Sequence, residues 1–164
     1  MRKTALPLLL AAAAGWDLAS FTIPNFLQGA LIACFIGFAA AARLHAPDIG
    51  LHLLAGFIGL VIGFTLFALG YIGGGDAKLF AAVVLWLGLR DLMSYTLVAT
   101  VLGGVLTLAL LALRRLPLPA LFARQSWILR LHDSRAGVPY GVALAAGVLV
   151  ILPGTEIFHL AALG

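Results

Sequence analysis

Asp76 follows three glycines in Gly73-Gly74-Gly75-Asp76-Ala77-Lys78-Leu79, between two long apolar stretches, and Asp17 lies within another apolar stretch near the amino terminus. An Asp held at bilayer centre costs ~2.5–3.5 kcal/mol on insertion scales, so it reads as a functional residue with a partner to be found. The partner assigned to Asp76 is Asp17. Two close carboxylates repel, share one proton and titrate as a unit. The ionised member can take a proton from water, while the protonated one hydrogen-bonds a carbonyl and stabilises the charge developing there. That is the chemistry of peptide hydrolysis by an aspartic dyad. Gly73, Gly74 and Gly75 can take backbone angles closed to other residues and expose peptide groups to an extended substrate. Lys78, two residues on, would favour ionisation nearby or snorkel to the interface. A plainer reading stands beside this one: a turn with Asp76 as the N-cap of the next helix, and Asp17 as a helix-end residue near water.

The elements that must carry these residues are membrane helices. Of 164 residues, 63% are hydrophobic and 10% charged, and the mean hydropathy is +1.15, far from the balance of soluble domains. Apolar runs near twenty residues select an all-α polytopic bundle over a barrel of short alternating strands. One domain over residues 1–164 holds six spans, expected at about 4–22, 26–44, 50–71, 77–89, 93–113 and 138–160. The start of the first imitates a signal peptide, with Arg2-Lys3 and Ala12-Ala13-Ala14, but cleavage there would remove Asp17. Pro24 disfavours helical geometry at Ile23, and Asn25 suits the start of the next helix, which puts Asp17 about one turn inside its span. The fourth span is short, reaching ~20 Å at 1.5 Å per residue against a ~30 Å hydrocarbon core. Either the bilayer thins there or Asp76 opens into a recess. Arg90-Asp91 reads as the turn into the fifth span, and residues 114–137 as an amphipathic segment on the headgroups, with Leu118, Leu121, Phe122, Trp127, Ile128 and Leu131 between arginines.

Six cations, Lys78, Arg114, Arg115, Arg124, Arg130 and Arg135, fall on one side of this arrangement; four, Arg2, Lys3, Arg43 and Arg90, fall on the other. The richer side is cytoplasmic by the positive-inside rule and carries both aspartates. The net charge of +4 is thus spent on orientation, and no nucleic-acid partner is expected. Gly56, Gly59 and Gly63 form a small-residue stripe for close helix packing. His45, Asp48 and His52 have ligand-like spacing, but Pro47 is expected to break that helix, so no metal is assigned. Cys34 reads as a small core residue, and Trp16, Trp86 and Trp127 as packing or interfacial anchors.

The segment from Gly73 to Leu79 resembles the GxGDxKL signature of type IV prepilin peptidases. Asp17 followed by Ile23-Pro24-Asn25 resembles that family's first-aspartate region, and Val138-Pro139-Tyr140-Gly141 its last-span entry. The resemblance implies catalytic Asp17 and Asp76, with Gly73, Gly74, Gly75, Lys78, Pro24 and Asn25 supporting substrate. It implies no cofactor, a bacterial inner-membrane location with the site facing the cytoplasm, and prepilin or pseudopilin helices within membrane lipid as partners. Without the cysteine-bearing N-methyltransferase segment of larger members, the chain resembles the short CpaA/TadV-like branch associated with Flp-type pili. Basic residues commonly precede Ile-Pro-Asn in the family, whereas Phe21-Thr22 stand here. Two other functions fit the residues: a small proton-coupled transporter using both aspartates as protonation sites, and a structural subunit of a secretion apparatus. A transporter more often carries inverted repeats, and none is apparent.

Overall fold

The computed structural model describes residues 4–119 and 124–162, so Arg2, Lys3, Leu121 and Phe122 lie outside the described residues. Among the described residues seven α-helices follow one another: α1 (Ala5–Ser20), α2 (Asn25–Ala41), α3 (Ala46–Ala68), α4 (Gly74–Leu113), α5 (Ser126–His132), α6 (Tyr140–Ile151) and α7 (Glu156–Ala162). The described residues contain no strand. Leu51, Phe57, Phe64, Leu97, Val105 and Leu108 all point outward from α3 and α4. Such an apolar belt suits lipid contact and would be untenable in water. Both helices are long and apolar enough to cross a bilayer, and α1, α2 and Tyr140–Gly154 are shorter apolar helices. The fold is an all-α membrane bundle.

The element that organises it is α4, which is a hairpin rather than a rod. Gly88 breaks the helix with φ 74° and ψ 179°, a left-handed conformation that glycine alone adopts without strain. Phe80 and Tyr95 stack at 5.6 Å between ring centres, whereas residues fifteen apart on one straight helix would be separated by ~22 Å. The two arms therefore run antiparallel, and the reversal is at Gly88, not at the charged Arg90-Asp91 where the sequence suggested it. Charge marks where the chain meets water, but the backbone angle marks where it turns. The His52 ring lies 3.1 Å from the place a Cβ on Gly88 would occupy, and its Nδ1 pairs with the Leu85 carbonyl at 2.9 Å.

Along α3, Gly56 meets Leu85, Gly59 meets Val84 and Ala81, and Gly63 meets Ala77 so closely that an added Cβ would stand 2.8 Å from the Ala77 carbonyl oxygen. The stripe thus fixes the first arm of α4 against α3 from end to end. On the other side Tyr95 is fully buried and donates to the Leu144 carbonyl at 3.3 Å, tying the second arm to α6. Trp86, also buried, donates to Leu31 in α2 at 2.9 Å.

Two expectations need correcting. Pro47 does not break a helix: it occupies the first turn of α3, where its missing N–H has no helical partner to lose. The last apolar stretch is not one helix, because a 3-10 turn at Leu152–Gly154, containing Pro153, separates α6 from α7. Beyond α4, Arg114 donates to the Leu131 carbonyl at 2.8 Å and to Gly137 at 2.9 Å, fastening α5 and the entry of α6 to the end of the second arm. Trp127, Ile128 and Leu131 cover an apolar hollow with Leu113 and Leu116.

Candidate active site

Both aspartates are delivered by helix ends. Phe21 leaves α1 in the left-handed region (φ 55°) and donates its N–H back to the Asp17 carbonyl at 2.7 Å. The helix thus closes one turn after Asp17. Pro24 then holds the extended geometry that admits α2 at Asn25. Asp76 is the third residue of α4, and its Oδ2 accepts the Gly73 N–H at 3.3 Å. It is therefore not the N-cap, which is Gly73, and the helix begins three residues before the expected Ala77. A carboxylate in the first turn also sits favourably in the field of the helix amino end.

These two ends meet a third. Asp17 is 3% and Asp76 8% exposed, and both line one recess. Gly141, in the first turn of α6, packs against Asp17, while the neighbouring Val142 N–H donates to the Pro139 carbonyl at 3.3 Å. Among the described residues Asp17 Oδ2 and Asp76 Oδ1 are buried without a hydrogen-bond partner. The approach is tight: a Cβ on Gly141 would lie 2.8 Å from Asp17 Oδ2 and 2.7 Å from Ile23 Cδ1. Tyr140, beside Gly141, places its phenol in the space left by Gly103 on the second arm of α4. The recess so formed holds about 300 Å³ and is lined by Asp17, Asp76, Phe21, Thr22, Ile23, Asn25, Lys78 and the three glycines.

The glycines are needed for a reason other than the one read from sequence. Gly73 has φ −70°, Gly74 and Gly75 are helical, and the positive-φ glycines among the described residues are Gly70 and Gly88. What matters is the missing side chain. A Cβ on Gly73 would be 3.1 Å from Asp76 Oδ2, one on Gly74 would press the Phe67 ring at 3.4 Å, and one on Gly75 would meet Ile23 at 3.3 Å. Lys78 does not pair with either aspartate; its Nζ donates to Asn25 Oδ1 at 2.9 Å across the rim of the recess. Pro24 shapes the approach without lining it. Among the described residues there is no cluster of three metal-ligating side chains. His45 pairs with Asp48 at 3.5 Å and His52 turns into the bundle, both away from the dyad.

Sequence reasoning missed Gly141, Tyr140 and Gln28 as parts of the site. Gly141 and Tyr140 stood inside the Val138-Pro139-Tyr140-Gly141 segment, a usable signal. Gln28, 5% exposed on α2, donates to the carbonyls of Gly75 at 3.3 Å and Ile23 at 3.5 Å and so buttresses the glycine turn.

A membrane helix bundle with two buried carboxylates converging on one small recess defines a class, that of intramembrane proteins with an aspartate pair at a helix-end junction. Within it, the profile of the type IV leader peptidase family matches residues 4–108, and the chain belongs to that family. It is similar to the prepilin leader peptidase/N-methyltransferase of Bacillus subtilis (strain 168), with 30% identity over 156 residues. The match covers 91% of this chain and 54% of that relative, so the chain spans about half the relative's length. No solved structure matches the chain significantly.

Proposed function

We propose that the protein is an intramembrane aspartic endopeptidase that removes the short basic leader of type IV or Flp-type prepilins at the cytoplasmic face of the bacterial inner membrane. The observation that carries this reading is the convergence of Asp17 and Asp76, buried and without a basic partner, on a recess open to a chain. Asp17 and Asp76 together activate a water and polarise the scissile carbonyl, the ionised one taking a proton from the water and the protonated one hydrogen-bonding the carbonyl oxygen. The close packing of Gly141 against Asp17 holds that carboxylate in place. Asn25 and Lys78 form the rim over which the leader passes, and the side-chain-free turn at Gly73, Gly74 and Gly75 lets an extended backbone come close to Asp76. The family membership and the similarity to a prepilin leader peptidase support the substrate class.

Incubating membranes that contain the protein with a Flp-type prepilin should yield the shortened pilin. If that prepilin stays intact while an unrelated soluble protein is cut, the substrate assignment fails. A reporter fused after Arg124 tests the orientation: activity of the fusion only in the periplasm would separate the dyad from cytoplasmic leaders.

A further inference from the structure

Beside the recess, a second hollow of about 510 Å³ runs between α2 and α3, floored by the first arm of α4. Its walls are Ile32 on α2 and Leu53, Phe57 and Leu60 on α3, and its floor includes Ala81 and Ala82. At the end far from the dyad, Phe35 and His52 meet at 5.2 Å between ring centres and close it. At the other end Asn25 and Lys78 line both this cleft and the catalytic recess, so the two adjoin across the Asn25–Lys78 pair. From Lys78 to Leu85 the floor spans ~10 Å, two turns of helix. Gly29, in the α2 wall, has nothing within 4 Å of where its Cβ would be, so the cleft is unfilled there.

Beyond the Asn25–Lys78 end, the polar side chain lining this apolar space is that of Gln28. Gln28 lines the cleft, is 5% exposed, and spends its amide N–H groups on Gly75 and Ile23. Those two carbonyl acceptors fix which way the amide points. Its Oε1 is then buried without a donor, an unfavourable state that an arriving donor relieves. A helix brought in amino end first carries four backbone N–H groups with no internal partner. A lipid chain would fit the apolar walls but has no N–H to offer.

We propose that the cleft between α2 and α3 receives the amino-terminal turns of the substrate's own membrane helix, and that Gln28 Oε1 accepts a backbone N–H from its first turn. Resting on the peptidase reading above, this adds a docking surface and a positioning residue to it. The leader, continuous with that turn, then passes over Asn25 and Lys78 into the recess, where the dyad meets an extended backbone. Because the same Gln28 amide grips Gly75, seating of the helix and placement of the glycine turn beside Asp76 are coupled.

The test uses the full chain with Asp76→Asn, so that capture is read without cleavage, and with Cys34→Ala to remove the native thiol. A cysteine is placed at Ile32 or Leu60 in the cleft, or at Val101 or Val105 on the outer face of α4. The probe is a synthetic precursor, a basic leader followed by an apolar helix with one cysteine in its first two turns, in vesicles with a mild oxidant. Cleft positions should cross-link at least tenfold faster than the outer ones. Equal rates, cross-links only between two copies of the protein, or no capture would each overturn the proposal, whatever the Asp variants do to cleavage. In the active enzyme, Gly29→Leu should raise KM for the precursor at least tenfold with kcat within twofold. Gly104→Leu, in open space on the outer arm, should change neither. Replacing the first-turn amides of the precursor one at a time by esters should lower kcat/KM about fivefold at one position. That loss should vanish in Gln28→Met. An ester effect of the same size in both enzymes would remove Gln28 from substrate positioning.

Discussion

At the end of the bundle away from the dyad, Arg90 meets Glu156 at 3.6 Å and His45 meets Asp48 at 3.5 Å, all four side chains more than half exposed. At the dyad end, Asp17 and Asp76 are 3% and 8% exposed, and among the described residues neither forms an ion pair. Both ends also enclose hollows of similar size, about 250 Å³ and about 300 Å³. A charged hollow at the mouth of a membrane bundle is therefore not by itself a sign of chemistry. Charges that water and opposite partners already satisfy have little to gain from a substrate. Asp17 and Asp76 are instead almost wholly buried, each with one oxygen that lacks a donor, and the fold sustains that cost through α1, α4 and α6 together.

The sharpest way to break this contrast is to remove one acid at a time. Asp17→Asn and Asp76→Asn should each lower cleavage at least ~1000-fold while leaving the protein folded in the membrane, because Asn keeps size and polarity but cannot share a proton or activate water. The double substitution should be scarcely worse than either single one, as for groups acting as a unit. The rate of the native enzyme should fall on both sides of an optimum pH, since one shared proton must be neither lost nor joined by a second. Near-normal cleavage by either Asn variant, at matched protein level, would leave that acid a helix-end residue.

Next in size is Gly141→Ala. A methyl at 2.8 Å from Asp17 Oδ2 and 2.7 Å from Ile23 must displace one of them, and ångström-scale misplacement of a catalytic group costs on the order of 100-fold. The measurement is kcat against an unchanged level of folded protein. Lys78→Ala should act more weakly, within about tenfold, because it loses the hydrogen bond to Asn25 rather than a contact with the dyad. Smallest of all, Arg90→Ala or Glu156→Ala should leave cleavage unchanged and alter thermal stability by less than ~1 kcal/mol, the usual worth of an exposed pair. A large loss of activity there would mean that the two ends are coupled and would erase the distinction.

The membrane class and the two acids were legible because charge in an apolar sequence is rare, and each exception has to be accounted for. The convergence partner Gly141 was not legible in the same way. It is one of 19 glycines, and what sets it apart is the proximity of two residues more than sixty positions away along the chain. Gln28 was hidden for a related reason: a lone amide in an apolar helix has no sequence pattern, and its role lies in the Gly75 carbonyl it meets across the bundle. The hairpin was misplaced by two residues because Arg90 and Asp91 drew attention to polarity, while the reversal depended on the one residue type able to adopt the angles found at Gly88. The glycine run was recognised as important, yet the need proved to be for space beside Asp76, Phe67 and Ile23, which only packing reveals.

The hairpin's arms are unequal, with the break at Gly88 in a helix running from Gly74 to Leu113. Gly103 lies at the level of Tyr140 and hence of the dyad, and the ten residues beyond it carry the second arm ~15 Å further. In the peptidase reading proposed above, hydrolysis consumes a water molecule at each turnover, so that depth must be wetted from one side. Where the surrounding lipid is thin, the headgroups sag toward the recess and supply is short-range; where it is thick, the same coordinates lie below a longer dry column. Acyl-chain length thereby enters the rate law beside substrate concentration, and a turnover number measured in one lipid is not a constant of the protein alone.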